Sequence, residues 1–274
     1  MYEEYWKLKE KPFDNNYDLR YLYLSLQHEE AVTRLLFAIK ERRHGVILSG
    51  NYGSGKSIIL NYLLQRAREM DETLQFVHIT DPLMTMTEFF REFLHQLGED
   101  LDSNATSPVL SSALRKKLME LHEAGKHTII AIDEADLIGE ETMQEMRLLL
   151  DLCHPKTQGT LMTLIFCGCL GDAEAGHLKS KALRQRIPIR CELDSFDADQ
   201  CAEYILHRLT VAGQPNQLFT DDAIAFIAEA SQGAPRAINN ICDLSLFLGS
   251  SRNLPKIDVD VVEAVAQEIA GSLN

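Results

Sequence analysis

Four short apolar runs along the first two thirds of the chain lack the polar alternation of a half-exposed strand. They are GVILSG (45–50), QFVHIT (75–80), HTIIAID (127–133) and TLMTLIFCG (160–168), with IRCEL (189–193) as a weaker fifth. A strand buried on both faces needs apolar side chains at nearly every position, so these runs predict a parallel sheet covered by helices. Between them, segments 56–70, 86–98, 111–125 and 140–153 repeat apolar residues at helical spacing, and several end in the helix-stopping residue glycine. Strand and helix in alternation define a doubly wound α/β domain. Past Ser195 the pattern changes. Segments 197–213, 220–233, 234–249 and 259–271 read as amphipathic helices, with Val262, Val265, Ala266 and Ile269 forming one stripe. The expected division is an α/β core over 1–195 and a small all-helical domain over 196–274, with 98–108 as the most loop-like and mobile stretch.

Composition narrows the class. The 274 residues carry 41 Asp and Glu against 27 Lys and Arg, a formal net charge of −14, which argues against a general basic surface for nucleic acid. The six cysteines form no CxxC and no histidine pair has zinc spacing, so neither a metal site nor a disulfide framework is indicated. The N-terminus is charged, and the apolar runs fall short of the ~20 residues of a membrane helix. The expectation is a reduced, soluble, cytoplasmic protein without membrane insertion.

GNYGSGKS, Gly50 to Ser57, matches G-x-x-x-x-G-K-[ST] between an apolar strand and a helix. Such a loop wraps phosphates with its backbone N–H groups, so Gly50, Asn51, Tyr52, Gly53, Ser54, Gly55, Lys56 and Ser57 are the expected nucleotide-binding residues. Lys56 would reach the β- and γ-phosphates of ATP, and Ser57 would hold Mg²⁺. TIIAIDEAD ends another strand in Asp133 and Glu134, fitting a Mg²⁺ partner and a general base that polarises water. The strand ending at 168 offers Cys167 and Cys169 where a water-positioning polar residue is expected, a gap in the catalytic set. GAPRAINN places Arg236 in the first turn of a helix, where a cation is disfavoured unless an anion such as the γ-phosphate lies nearby. ALRQRIPIRC sets Arg184, Arg186 and Arg190 within seven residues, with Arg190 read as an ordinary salt-bridge partner.

The phosphate loop, Asp-Glu pair, RQR and GxPR in this order resemble a AAA+ ATPase. The likeness is to the ExeA/GspA type of secretion ATPase, with standalone relatives such as MshM. It covers nearly the whole chain, from WKLKEKPFDNNYDLRYLYLSLQHEEAVTRLLFAI through IIAIDEAD and ALRQRIPIRCEL to GAPRAINNICDLSL. The resemblance implies a P-loop NTPase core with a five-stranded parallel sheet followed by a helical lid. It implies that Tyr23, Leu24 and His28 lie beside the adenine, although Phe13, Tyr21 and Tyr23 equally suit a packed core. It implies that Arg184 or Arg186 acts in trans on a neighbour's nucleotide. The family commonly has G-Q-P-E-L where this chain has GCLGDA (168–173), so water positioning departs from the pattern. The membrane anchor and periplasmic region of the full secretion proteins find no match in this sequence.

Three functions follow. One is a Mg²⁺-dependent ATPase that assembles as a homo-oligomer and drives a protein client of a secretion or pilus apparatus. A second is a transposition regulator of the MuB or TnsC type, forming ATP-dependent assemblies on DNA, which the acidic charge disfavours. A third is a slowly hydrolysing nucleotide switch.

Overall fold

The computed structural model describes residues 2–169 and 181–271, with the side chains of Lys181, Ala182 and Arg184 outside the described set. Its five strands are β1 (Gly45–Gly50), β2 (Leu74–Ile79), β3 (His127–Ile132), β4 (Met162–Gly168) and β5 (Ile189–Leu193). They form one parallel sheet in the order β2-β3-β4-β1-β5. All five predicted strands are present, and the weakest of them, IRCEL, is an edge strand, which accounts for its mixed composition. The helices are α1 (Tyr2–Trp6), α2 (Leu26–Lys40), α3 (Lys56–Met70), α4 (Met86–Gln96), α5 (Ser107–Glu123), α6 (Glu140–Leu149), α7 (Lys181–Arg186), α8 (Ala198–Val211), α9 (Asp221–Ser231), α10 (Pro235–Ser251) and α11 (Val259–Gly271). The chain divides into two units, one comprising 28–50 and 59–193, the other 1–27, 51–58 and 194–274.

The first unit holds the sheet. Ile47, Ile130, Ile132 and Phe166 on the strands are completely buried and pack with Phe89 and Phe93 of α4 and with Leu110, Leu114 and Leu118 of α5. The leucines recur every four residues, so one helical face meets the sheet. Burying each phenylalanine stabilises this core by about 1.5–3 kcal/mol. α4 starts where Thr85 and Glu88 cap each other reciprocally, the Thr85 N–H donating to Glu88 Oε2 at 2.7 Å. The loop-like stretch ends at Thr106, after which Ser107 and Pro108 open α5.

The second unit is helical. Its core joins Tyr204, Ile205, Ile227, Ile238, Leu246 and Val262 from α8–α11 to Trp6, Phe13 and Tyr21 of the N-terminal segment. Trp6 donates its indole N–H to the Leu246 carbonyl at 2.9 Å, and Phe13 meets Phe219 edge to face at 6.2 Å. The buried Arg208 guanidinium donates to the carbonyls of Pro12 (2.5 Å) and Asp14 (2.8 Å) and to Tyr204 Oη (2.8 Å). Residues 1–27 thus pack with the helices, a grouping that differs from the expected 1–195 division. Their apolar side chains are spaced too irregularly to show a period, and the helical faces complete their burial. No helix among the described residues is long and apolar enough to cross a membrane.

Candidate functional site

The phosphate loop leaves β1 after Gly50 and enters α3 at Lys56, so free N–H groups of a helix N-terminus follow directly on a strand end. Gly53 and Gly55 take φ of +75° and +92°. At Gly53 an added β-carbon would also stand 3.0 Å from Arg236 Cβ, so the conformation favours glycine and the space beside it is tight. Lys56 Nζ donates to the Asn51 carbonyl at 2.8 Å and lies 5.9 Å from the centroid of the exposed Tyr52 ring. Ser54 is 2% exposed, and its Oγ has no hydrogen-bond partner among the described residues. A buried hydroxyl left in this way costs about 1–3 kcal/mol, and a phosphate oxygen is the acceptor such a loop is built to receive. The donor set fits a nucleotide's phosphates.

Arg236 belongs to the same unit as this loop. Its backbone N–H donates to the Gly53 carbonyl at 3.3 Å, and its exposed guanidinium makes no ion pair with a described residue. Pro235 opens α10, where its missing N–H costs nothing, and so sets Arg236 in the first helical turn. A cation held at a helix N-terminus without a carboxylate partner is suited to an incoming anion.

In the sheet unit, the C-terminal edge carries Gly50, Gly168 and, one residue past β3, Asp133. Asp133 is 9% exposed; its N–H donates to the Ile79 carbonyl at 2.8 Å and its Oδ1 accepts the Glu134 N–H at 2.9 Å. Glu134 is exposed and sits in the left-handed region at φ 49°, ψ 36°. For a residue other than glycine that conformation costs on the order of 1 kcal/mol, a strain that concentrates at functional positions. Asp136 is a residue that sequence reasoning missed. Its Oδ1 accepts the Cys169 N–H at 2.7 Å, and it occupies the space a β-carbon on Gly168 would need. The fourth letter of DEAD was the available signal. Cys167 is buried and Cys169 half-buried, so the β4 terminus is organised by a carboxylate from the preceding turn.

Arg184 and Arg186 lie on α7. The Arg184 side chain is outside the described set. Arg186 makes a forked ion pair with Asp151, Nε lying 3.0 Å from Oδ1 and Nη2 3.0 Å from Oδ2, which raises the guanidinium's already high pKa. The side chain of Arg190 reaches the Ile187 carbonyl at 3.4 Å. In the helical unit Tyr23 is half-buried, hydrogen-bonded through its hydroxyl to Glu203 and edge to face with Phe196 at 5.6 Å. Burial, and then the Glu203 carboxylate, push its phenol up to about 12. Phe13 and Tyr21 are core residues. His28 is buried in the sheet unit.

The family model described as AAA domain matches residues 39–175, half of the chain. General secretion pathway protein A of Aeromonas hydrophila is 28% identical over 275 residues, a match covering 99% of this chain and 49% of that protein. The chain therefore spans about half the length of this curated relative. Among solved structures, Drosophila ORC bound to DNA superposes with a TM-score of 0.69 at 16% identity, over 89% of this chain and 60% of that one. The Aeropyrum pernix ORC2 protein gives 0.66 at 12% identity over 95% and 72% of the two chains. The Thermotoga maritima RuvB Holliday junction branch migration motor gives 0.59 at 17% over 90% and 72%. These likenesses establish the fold. With its strand order, its phosphate loop between β1 and α3 and its matched family model, the chain belongs to the AAA domain family.

Proposed function

We propose that this chain is a Mg²⁺-dependent ATPase that works as a homo-oligomer and couples ATP binding and hydrolysis to a protein client of a secretion or pilus-type apparatus. The observation that carries the nucleotide half is the phosphate loop, with Gly53 and Gly55 at positive φ and Ser54 Oγ buried without a partner among the described residues. The secretion half rests on the match to General secretion pathway protein A over 99% of this chain. The described helices and the six thiols, none in a disulfide, are compatible with work in a reducing, cytoplasmic setting.

Each residue's role follows from its chemistry. Gly50, Asn51, Tyr52 and Gly53 to Gly55 supply the backbone turn and N–H donors for phosphate, and Lys56 supplies a mobile cation once it leaves the Asn51 carbonyl. Ser57 and Asp133 are the oxygen ligands that suit a hard cation. Bound Mg²⁺ would neutralise charge on the phosphate oxygens. Glu134, exposed and ionisable, accepts a proton from the attacking water. Arg236 and one of Arg184 and Arg186 stabilise charge developing on the γ-phosphate, the latter from a neighbouring copy. Tyr23 and His28 are assigned to the adenine side on the family resemblance.

A slow nucleotide switch is the second reading, favoured by Cys167 and Cys169 at the end of β4 where a stronger hydrogen-bonding side chain would orient water. A role on DNA of the transposition-regulator kind has the −14 charge against it. The deciding experiment is steady-state ATP turnover with and without Mg²⁺, beside nucleotide binding by the same protein. Turnover that needs Mg²⁺ supports the ATPase; tight binding with turnover no faster than that of Glu134→Gln selects the switch.

A further inference from the structure

Two surface features of opposite charge remain outside the nucleotide chemistry. In the helical unit, α8 and α9 enclose an open groove of about 390 Å³. Its floor is apolar, built on Ala202, Leu206 and Ile224, with Leu206 45% exposed. Its rim carries the carboxylates of Asp199, Glu203 and Asp221, and no Lys or Arg among the described residues lines it. Asp199 and Asp221 sit in first helical turns, which explains their tolerance there but not the uncovered apolar floor between them.

In the sheet unit, a second depression of about 320 Å³ is lined, among the described residues, by Arg34, Phe37, Pro188, Ile189 and Arg190, which include two cations. Phe37 stands 47% exposed on α2, with the Arg43 guanidinium 5.8 Å from its ring centroid. Glu30 is a nearby acid, and it is ion-paired with Arg34. In a chain of net charge −14, a cation-flanked exposed aromatic is out of keeping with the rest of the surface.

We propose that the acid-rimmed groove between α8 and α9 of one copy receives the Arg34–Phe37–Arg190 patch of a second copy, as a repeating head-to-tail contact. This rests on the homo-oligomer reading above and names the surface that makes it. Charge complementarity selects the occupant. The apolar floor of a groove of about 390 Å³ suits an aromatic side chain, the rim carboxylates meet the arginines, and the pairing uses two different patches. A contact of that kind generates rings or filaments instead of closed dimers. Phe37 and Leu206 form its apolar anchors and the charges its rim, the usual anatomy of a protein interface.

The test reverses each patch. One full-length variant carries Arg34→Glu with Arg190→Glu, the other Asp199→Lys with Asp221→Lys. Association is read by sedimentation velocity across protein and salt concentration with ATP present, and folding by circular dichroism and thermal melting. Each reversed variant alone should need more than about tenfold higher concentration to associate, because like charges then face each other. An equimolar mixture should regain wild-type association, since every contact in an alternating assembly again pairs opposite charges. Phe37→Ser and Leu206→Ser provide the same loss without charge reversal, should a reversed variant not fold. Wild-type-like association of the single variants, or a mixture that stays dissociated, overturns the assignment of this surface. Association unchanged while the Arg34, Arg190 variant loses binding to DNA would give that patch to nucleic acid and overturn it too. A wild-type protein that stays monomeric at every concentration and nucleotide state fails the homo-oligomer reading itself.

Discussion

The backbone N–H of Arg236 donates to the carbonyl of Gly53 at 3.3 Å, and a β-carbon on Gly53 would stand 3.0 Å from the β-carbon of Arg236. The first turn of α10 therefore rests directly on the loop that contains the phosphate donors. Gly53→Ala meets both a φ of +75° and this contact. It should weaken ATP binding by about tenfold or more, equivalent to about 1.4 kcal/mol, in a fluorescent-nucleotide titration. Wild-type affinity would remove Gly53 from the account.

Glu134 is exposed and strained in the left-handed region, and its backbone N–H donates to Asp133 Oδ1 at 2.9 Å. Its carboxylate is thus available for a proton while the turn is held by other groups. Glu134→Gln should bind ATP as tightly as wild type and lose about 10²–10⁴-fold in turnover, read by phosphate release. Turnover within a factor of about two of wild type would point to another base.

Arg208 is 5% exposed and satisfied by two carbonyls of the N-terminal segment and by Tyr204. Tyr204 passes the network on to Asn239 Oδ1 at 2.9 Å, and Asn239 donates to Asn15 Oδ1 at 2.9 Å. Arg208→Ala leaves these acceptors buried, and should cost on the order of 3 kcal/mol in urea unfolding. Arg208→Lys should recover little, since an ammonium cannot span three diverging acceptors. A loss below about 0.5 kcal/mol would show the N-terminal segment to be held by apolar packing alone.

His127 is fully buried, its Nε2 2.9 Å from Thr163 Oγ1, and that hydroxyl donates in turn to the Arg43 carbonyl at 2.6 Å. Nε2 therefore carries the proton, and the buried Nδ1 has no acceptor for a second one among the described residues. Burial, followed by repulsion from Arg42 and His122, lowers the His127 pKa to about 4. The unfolded chain, with an ordinary histidine pKa near 6.5, takes up the proton first, so stability is lost as pH falls from about 6.5 to about 4. His127→Gln should flatten the dependence of unfolding free energy on pH in that window. An unchanged slope would assign the acid sensitivity to other groups.

Much of this was legible in the sequence, and the remainder was hidden for identifiable reasons. Continuous apolar runs located the strands because a doubly covered sheet leaves no polar alternative, and the four C-terminal helices showed their stripes. The phosphate loop was readable because its glycines stand at fixed spacing between a strand and a helix. α1 and the burial of Trp6 were not readable, and the core packing of Phe13 and Tyr21 stood only as one of two open readings, because a short segment without period takes its structure from α8–α11. Arg208 looks like any helical surface arginine, and its carbonyl partners lie more than 190 residues away. The Arg186–Asp151 pair joins residues 35 apart that no local pattern links.

That pair bears on the central claim, that ATP is hydrolysed with groups from two copies of the chain. Asp151 holds Arg186 by a surface ion pair that water screens, so the guanidinium can be given up to a phosphate at little cost. The most direct measurement is steady-state ATP turnover in mixtures of Glu134→Gln with Arg184→Ala or with Arg186→Ala. The account predicts that one arginine variant, nearly inactive alone, recovers part of the turnover beside Glu134→Gln. Half of the mixed contacts join the arginine variant's intact Glu134 to the intact arginine of the Glu134→Gln copy, while the reverse contacts lack both groups. Turnover that stays at the level of the separate variants in every mixture would contradict it.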